Sequence, residues 1–253
     1  MKREKFKQVI EFITQQYQKI ENYFTSGSFG VKFYPILMYP CVRHSQSFVV
    51  KSLAVLSVFL GLYFLFGELI TILFSDGTLA AYANHTLFEL SLPIGTMIDE
   101  KTVLNSPLSL VMRASFMLQG YLFAVIYLLA VMRITQGVRL IAAILAISFA
   151  CCLVMIASAQ GGKFTLGGLQ NLGVSITFLL GNLTMIITGL TVKSPALQRF
   201  KWYSIGGGLI GLAAILFTIF QPTTLLPLLE RVSFYAVLVW EIAAGFAILK
   251  QVK

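Results

Sequence analysis

Six long apolar stretches dominate the chain, separated by connections that carry turn residues and charges. A membrane-spanning helix needs roughly 20 mostly apolar residues. Barrel strands would instead alternate over about 10 residues, and no such alternation is present. The pattern predicts an all-α membrane protein, a six-transmembrane-helix bundle over residues 51–253. Its spans are expected at about Lys51–Phe74, Pro107–Met132, Leu140–Ala159, Leu172–Val192, Tyr203–Phe220 and Val232–Leu249.

The first 50 residues have a different pattern and are expected to form a separate N-terminal segment. Their apolar positions follow the three-four spacing of one helical face, with lysines and glutamines on the other face. Such an amphipathic helix can lie in the membrane interface, with its cations toward anionic lipid. The alternative is that it docks on another membrane protein or on the bundle of its own chain, and both stay open. The stripe consists of Phe6, Val9, Ile10, Ile13, Tyr17, Ile20 and Phe24.

Composition agrees with the membrane reading. Hydrophobic residues make up 57% and charged residues 11% of the 253 positions, and the mean hydropathy is +0.83. Soluble, disordered, collagen-like and coiled-coil classes are thereby excluded, since soluble domains carry about 25% charged residues. Three cysteines do not make a disulfide framework.

The formal net charge of +9 is explained by topology. If the N-terminus is cytoplasmic, 15 of the 19 basic residues lie on the cytoplasmic side of the six spans, as the positive-inside rule requires. Both termini are then cytoplasmic. No nucleic-acid partner is needed, because no interleaved aromatic and basic platform is present.

The sequence lacks the motifs of common membrane enzymes. Its two histidines, His44 and His85, fall on opposite sides of the predicted membrane. No metal-ligand spacing, nucleophile elbow or P-loop is present. We therefore expect no cofactor and no metal, and assign no catalytic residue.

Two charges lie inside spans near the non-cytoplasmic side. Glu68 and Arg113 are each about six residues from the outer end of their spans, or roughly 9 Å deep. Equal depth permits an ion pair that locks two helices together. The alternative is an outward-facing site that binds an anionic headgroup or solute through Arg113.

A deeper polar layer is predicted near the midplane. Gln119, Asn182 and Glu241 fall about 15–18 Å from the outer ends of their spans. Interhelical hydrogen bonding is one interpretation. A polar ligand site or a proton-coupled site is the other, because burial disfavours the ionised form of Glu241.

Small residues mark one further surface. Gly206, Gly207 and Gly208 are followed by Gly211 at helical spacing, which lets another helix approach closely. The Gly206–Gly211 face is therefore a candidate contact with a second membrane protein.

The last span carries the most distinctive motif. It contains Leu229-Glu230-Arg231-Val232-Ser233-Phe234-Tyr235, then Trp240-Glu241 and Gly245. With Asn105-Ser106-Pro107 and the Gly181-Asn182 stretch of residues 173–189, it resembles the prokaryotic multi-span family catalogued as "domain of unknown function nine-nine-eight". The resemblance covers residues 50–250. It implies a six-helix fold in a prokaryotic inner membrane and no known activity.

The same motif suggests ligand-binding candidates. Glu230 and Arg231 are sequence neighbours and so do not face each other on a helix, and each must find its own partner, for example in the 75–106 loop. Tyr235 is one turn away and could receive Arg231 by a cation–π contact. Trp240 is too deep for an interfacial belt and is expected to pack between helices.

The functional hypotheses follow from these residues. The first is a non-enzymatic protein that binds membrane lipid or another amphiphile, or serves as a subunit of a membrane complex. A small proton-coupled transporter using Glu241 is the alternative, and a lipid-modifying membrane enzyme is the third.

Overall fold

The computed structural model describes residues 11–12, 15–16, 18–19, 39–98, 101–102, 104–158, 169–220 and 225–251. The chain divides into two units, residues 1–49 and 50–253. In the first unit, the described residues 11–12, 15–16 and 18–19 are helical. All seven members of the predicted apolar stripe lie outside the described residues, so the amphipathic interfacial helix stays a prediction.

Long helices account for most of the described chain. They are α1 (Pro40–Leu73), α3 (Ser109–Leu129), α4 (Arg139–Ala157), α5 (Leu169–Thr191), α6 (Gln198–Phe220) and α7 (Leu226–Gln251). Among the described residues, five segments are long and apolar enough to cross a membrane, and they correspond to α1, α3, α4, α6 and α7. In α5 the apolar run found by the same measure is the shorter Ile176–Thr191. The protein is thus helical, with helices suited to a membrane.

The connection between α1 and α3 folds back onto the bundle. It contains the four-residue helix α2 (Ala81–Asn84), 3₁₀ turns at Thr78–Ala80 and Glu89–Ser91, and a hairpin of β1 (Met97–Ile98) with β2 (Lys101–Thr102). The apolar run of residues 80–92 does not form one continuous helix. Leu87, Leu90 and Leu92 are instead almost completely buried, because the chain must turn repeatedly to place all three inward.

Glycines allow the helices to approach closely. A Cβ on Gly61 would lie 2.9 Å from the Leu238 carbonyl oxygen, which fixes the approach of α1 to α7. Gly120 has the same role between α3 and α4, where its Cβ would lie 2.8 Å from the Ala150 carbonyl. Small residues dominate helix contacts in membranes because lipid supplies no hydrophobic drive for association.

Aromatic side chains fill the space that these approaches enclose. Phe64, Phe116 and Phe234 join α1, α3 and α7 through ring contacts of 4.8–6.1 Å. Trp240 is 1% exposed and its ring lies 6.0 Å from that of Phe200 on α6. The prediction that Trp240 packs between helices is confirmed.

One end of the bundle, which we call the basic end, is formed by residues 130–139, 192–199 and 250–251. The α3–α4 and α5–α6 connections pair through a bridge between Thr135 and Val192. The end of α7 joins them, since Gln251 Nε2 donates to Ser194 Oγ at 2.7 Å. Five cations therefore share this end: Arg133, Arg139, Lys193, Arg199 and Lys250.

The predicted Gly206–Gly211 face is partly used within the chain. A Cβ on Gly208 would lie 2.6 Å from Ile186 Cγ1 of α5, and one on Gly211 would overlap the Asn182 side chain. Gly206 has open space around it. A contact with a second membrane protein through Gly206 stays a prediction.

Gly208, which lies in a tight contact, and Gly206, which has open space around it, provide a matched pair of substitutions. Gly208→Ala should destabilise the protein by about 1–3 kcal/mol because the added methyl group overpacks the α5–α6 contact. Gly206→Ala, two residues away in the same helix, should be neutral or slightly stabilising. Thermal unfolding of both variants in detergent measures the effect, and equal losses would contradict the α5–α6 packing.

Candidate functional site

A buried ion pair joins α1 to the second turn of α7. Arg231 Nε donates to Glu68 Oε1 at 2.7 Å, and both side chains are 2% exposed. Each residue lies five positions from its helix end, Leu73 for Glu68 and Leu226 for Arg231. At 1.5 Å per residue both are about 7–8 Å from those ends, so the two groups meet at one level.

Residues of the α1–α3 connection complete this site, which we call the Glu68–Arg231 cluster: Glu68, Tyr82, His85, Arg231 and Tyr235. Tyr235 Oη donates to Glu68 Oε2 at 2.7 Å, and Tyr82 Oη donates to Tyr235 Oη at 2.6 Å. Arg231 Nη1 donates to the His85 carbonyl oxygen at 2.8 Å. Both carboxylate oxygens of Glu68 are thereby bonded to α7, and α7 in turn is bonded to the connection through Tyr82 and His85.

The expected pairing of Glu68 with Arg113 is wrong. Within the described residues, Arg113 has no ion pair, and its buried Nε has no hydrogen-bond partner. Near Arg113, α3 contacts α1 instead through Val111 and Ser115, which lie against Gly67. Since Arg113 lies between them in sequence, it points to a different side of α3.

The physical reason lies in the start of α7. The apolar window placed the span from Val232, which left Arg231 outside it, whereas the helix begins at Leu226. Arg231 is consequently inside the bundle at the depth of Glu68. An arginine does meet Glu68 at its own depth in the bundle, as the depth argument predicted. Because α7 begins at Leu226, that arginine is Arg231 and not Arg113.

The cation–π contact of Arg231 is made by a different tyrosine. Arg231 Cζ lies 4.5 Å from the ring centroid of Tyr82, and Tyr235 instead bonds Glu68. The prediction of Tyr235 as the aromatic partner is wrong because its hydroxyl is directed at the carboxylate. Glu230 is 6% exposed, and its Oε2 has no hydrogen-bond partner in the described part of the chain. Arg231 does find a partner in the 75–106 loop, as expected.

At the edge of the cluster, His85 Nδ1 lies 2.6 Å from Glu89 Oε2, with both side chains about a quarter exposed. Among the residues that the structure describes, no group of three His, Cys, Asp or Glu side chains converges in a way that could hold a metal ion. The cluster is a hydrogen-bonded network, and Tyr82 and His85 form its partly exposed edge.

The midplane residues lie inside the bundle as two separate pairs. Gln119 Nε2 donates to Glu241 Oε1, joining α3 to α7. Asn182 Nδ2 donates to Ser233 Oγ at 2.8 Å, joining α5 to α7. All three predicted residues are at most 3% exposed. They therefore do not form one site, because α7 lies between α3 and α5 as a common partner.

A small cavity adjoins Glu241 of the Gln119–Glu241 pair. Its volume is about 10 Å³, and it is lined by Ser57, Tyr127, Trp240, Glu241 and apolar side chains. A single water needs about 10–15 Å³ measured in this way. Glu241 Oε2 and Gln119 Oε1 have no protein partner among the described residues. The cavity thus has room for one water at most.

Two open grooves lie at the basic end. One, of about 810 Å³, is formed by the start of α6 and the end of α7 and includes Arg199 and Lys250. The other, of about 550 Å³, is lined by Arg133, Arg139 and three apolar residues. Both combine a pair of cations with an apolar wall.

Two side-chain hydrogen bonds between helices were not predicted from the sequence. Tyr127 and Thr188 bond at 2.7 Å, and Trp240 Nε1 donates to Ser204 Oγ at 2.9 Å. Thr188 and Ser204 also bond carbonyls within their own helices. That local option makes Ser and Thr uninformative in an apolar run. Tyr82 had no signal, since its role depends on loop folding.

Comparison with known proteins identifies no relative. No family model matches the chain, no curated protein matches it, and no solved structure matches it.

The ion pair predicts a specific pattern of stability. Arg231→Leu should lower the free energy of unfolding by about 3–5 kcal/mol because Glu68 is left as an uncompensated buried charge. The double variant Glu68→Leu/Arg231→Leu should lose less than Arg231→Leu alone. Thermal unfolding in detergent provides the measurement, and Arg113→Leu, expected to change little, is the control. Additive losses would show that the two groups are independent.

Proposed function

We propose that this chain is an integral membrane protein with six spans and both termini on the cytoplasmic side, and that its role is non-enzymatic. It binds membrane lipid or another amphiphile, or acts as a subunit of a membrane complex. Five apolar helices of spanning length and the gathering of cations at the basic end support this placement, since cytoplasmic connections are rich in Lys and Arg. Apolar α5 is the remaining span of the proposal.

The observation that carries the non-enzymatic role is the contrast between interior and surface. The predicted midplane residues bond partners on α7 or α3 in two pairs, and a cavity of only about 10 Å³ adjoins Glu241. Two open grooves, of about 810 and 550 Å³, lie on the surface at the basic end. Ligand capture is therefore favoured at the lipid-facing surface over passage through the centre.

A proton-coupled transporter is the second candidate. It is favoured by one observation, the Oε2 atom of Glu241, which has no partner among the described residues. A lipid-modifying enzyme has less support, because the two oxygens of Glu68 are already bonded to Arg231 and Tyr235.

The resemblance to the prokaryotic "domain of unknown function nine-nine-eight" family is part of the proposal. It supports a prokaryotic inner membrane as the location, and it adds no activity. Five of its motif residues hydrogen-bond α7 to other helices: Arg231, Ser233, Tyr235, Trp240 and Glu241.

Topology can be tested by cysteine labelling. After the three native cysteines are replaced, single cysteines near Asp99 and Lys163 should react with an impermeant reagent from outside the cell. Cysteines near Arg133 and Lys193 should react only after the membrane is opened. The reversed pattern would contradict the orientation, and a mixed pattern would contradict the six-span count.

Glu241→Gln separates the two candidate functions. An amide oxygen at this position still accepts from Gln119, so the fold and its stability should change by less than about 1 kcal/mol. Glu241→Leu should cost about 1–3 kcal/mol because Gln119 loses its partner. Unfolding in detergent measures both. Proton flux into proteoliposomes that Glu241→Gln abolishes in a folded protein would overturn the non-transport role.

A further inference from the structure

We infer that the larger groove at the basic end binds an anionic phospholipid of the adjoining leaflet, with the phosphate held by Arg199 and Lys250 and an acyl chain lying between α6 and α7. This inference rests on the membrane placement proposed above and names the ligand class and its site. The groove has a volume of about 810 Å³ and is open to the outside.

The groove is charged at one end and apolar at the other, as a phospholipid is. On α6, Arg199 lies near the helix start and Tyr203 follows one turn deeper. On α7, Lys250 lies near the helix end, and the apolar Ala243, Phe246 and Ala247 precede it. Residues three, four and seven apart share one helical face. Both helices therefore place a cation at the surface and apolar groups toward the membrane interior.

The charge of the groove favours an anion. The sequence has no acidic residue between Glu100 and Glu230 and none after Glu241. Arg199 is exposed and has no ion pair in the described part of the chain, and Lys250 Nζ bonds only the Ala196 carbonyl oxygen, at 3.2 Å. Several N–H donors of these two cations are thus free for a phosphate. The positive end of the α6 helix dipole lies beside them.

The exposed aromatic residues match the membrane surface. Trp202 is 62% exposed and Tyr203 is 37% exposed, at the start of α6. Trp and Tyr are enriched where headgroups meet the acyl region. Phe246, 60% exposed, lies one turn inward from Lys250. This order along the membrane normal places a headgroup at the cations and a chain against Phe246.

The second groove is a weaker candidate. Arg133 Nε already bonds the Leu129 carbonyl at 3.0 Å, and Arg139 Nη2 bonds the Thr135 carbonyl at 3.4 Å. Each of its arginines thus already bonds a backbone carbonyl oxygen, whereas Arg199 makes no such bond among the described residues. The α6–α7 groove is therefore the favoured phospholipid site.

The test measures the binding of phosphatidylglycerol and of phosphatidylcholine to the delipidated full-length protein. Native mass spectrometry detects the bound lipid. Phosphatidylglycerol should bind more tightly than phosphatidylcholine. Arg199→Gln/Lys250→Gln should weaken its binding by about 30-fold, since each cation near the surface contributes about a factor of five. Lys193→Gln/Lys201→Gln also removes two nearby charges, but neither side chain lines the groove, so this control should weaken binding clearly less than Arg199→Gln/Lys250→Gln. A phosphatidylglycerol with a photoreactive acyl chain should label α7 near Phe246.

Several results would overturn the inference. These are equal binding of the two lipids, equal losses in the two double variants, and labelling that leads to a second copy of the chain. Full competition by inorganic phosphate would show a simple anion site without a role for the chain. If phosphatidylglycerol binds but is unaffected by Arg199→Gln/Lys250→Gln, the groove fails and the proposed lipid binding survives. If no lipid binds at all, the lipid-binding function fails as well.

Discussion

A polar side chain in the hydrocarbon core of a membrane has only other protein groups to bind, and in this bundle side chains of α7 form hydrogen bonds to four other helices. Arg231 and Tyr235 bond α1, and Ser233 bonds α5. Trp240 bonds α6 and Glu241 bonds α3. Each such bond contributes about 0.6 kcal/mol on average and at most about 1.7 kcal/mol. Together they define which helix lies on which side of α7.

The Glu68–Arg231 cluster differs from the other ties because it includes a loop. Breaking it exposes a buried charge, which costs far more than losing a neutral hydrogen bond. Tyr82 and His85 belong to the α1–α3 connection, and they bond the two α7 residues that hold Glu68, Tyr235 and Arg231. Burial of Leu87, Leu90 and Leu92 supplies the apolar part of the same contact.

Hydropathy and depth predicted much of this arrangement, and they failed where a side chain's direction mattered. Apolar windows located the helices, and the prediction that Gln119, Asn182 and Glu241 face the interior of the bundle is confirmed by their burial. The partner of Glu68 was missed because α7 begins at Leu226, six residues before its apolar window. Tyr82 was missed because its position depends on short turns, and periodicity does not describe turns. Predicting the pairing of Asn182 with Ser233 requires knowing which face of α5 is turned toward α7. The spacing of residues along the sequence does not give that orientation.

The same constraint explains why the basic end is the better place for a ligand. In the interior, the side chains that join the helices are hydrogen-bonded to one another, and a ligand that displaced those bonds would leave further buried polar groups unsatisfied. At the basic end, Arg199 is exposed beside an apolar wall and can bind without breaking a protein contact. A lipid there also exchanges one hydrocarbon surface for another, so its apolar contacts add little free energy. Selectivity must then come from the headgroup, and the two cations are the groups of this groove that distinguish one phospholipid from another.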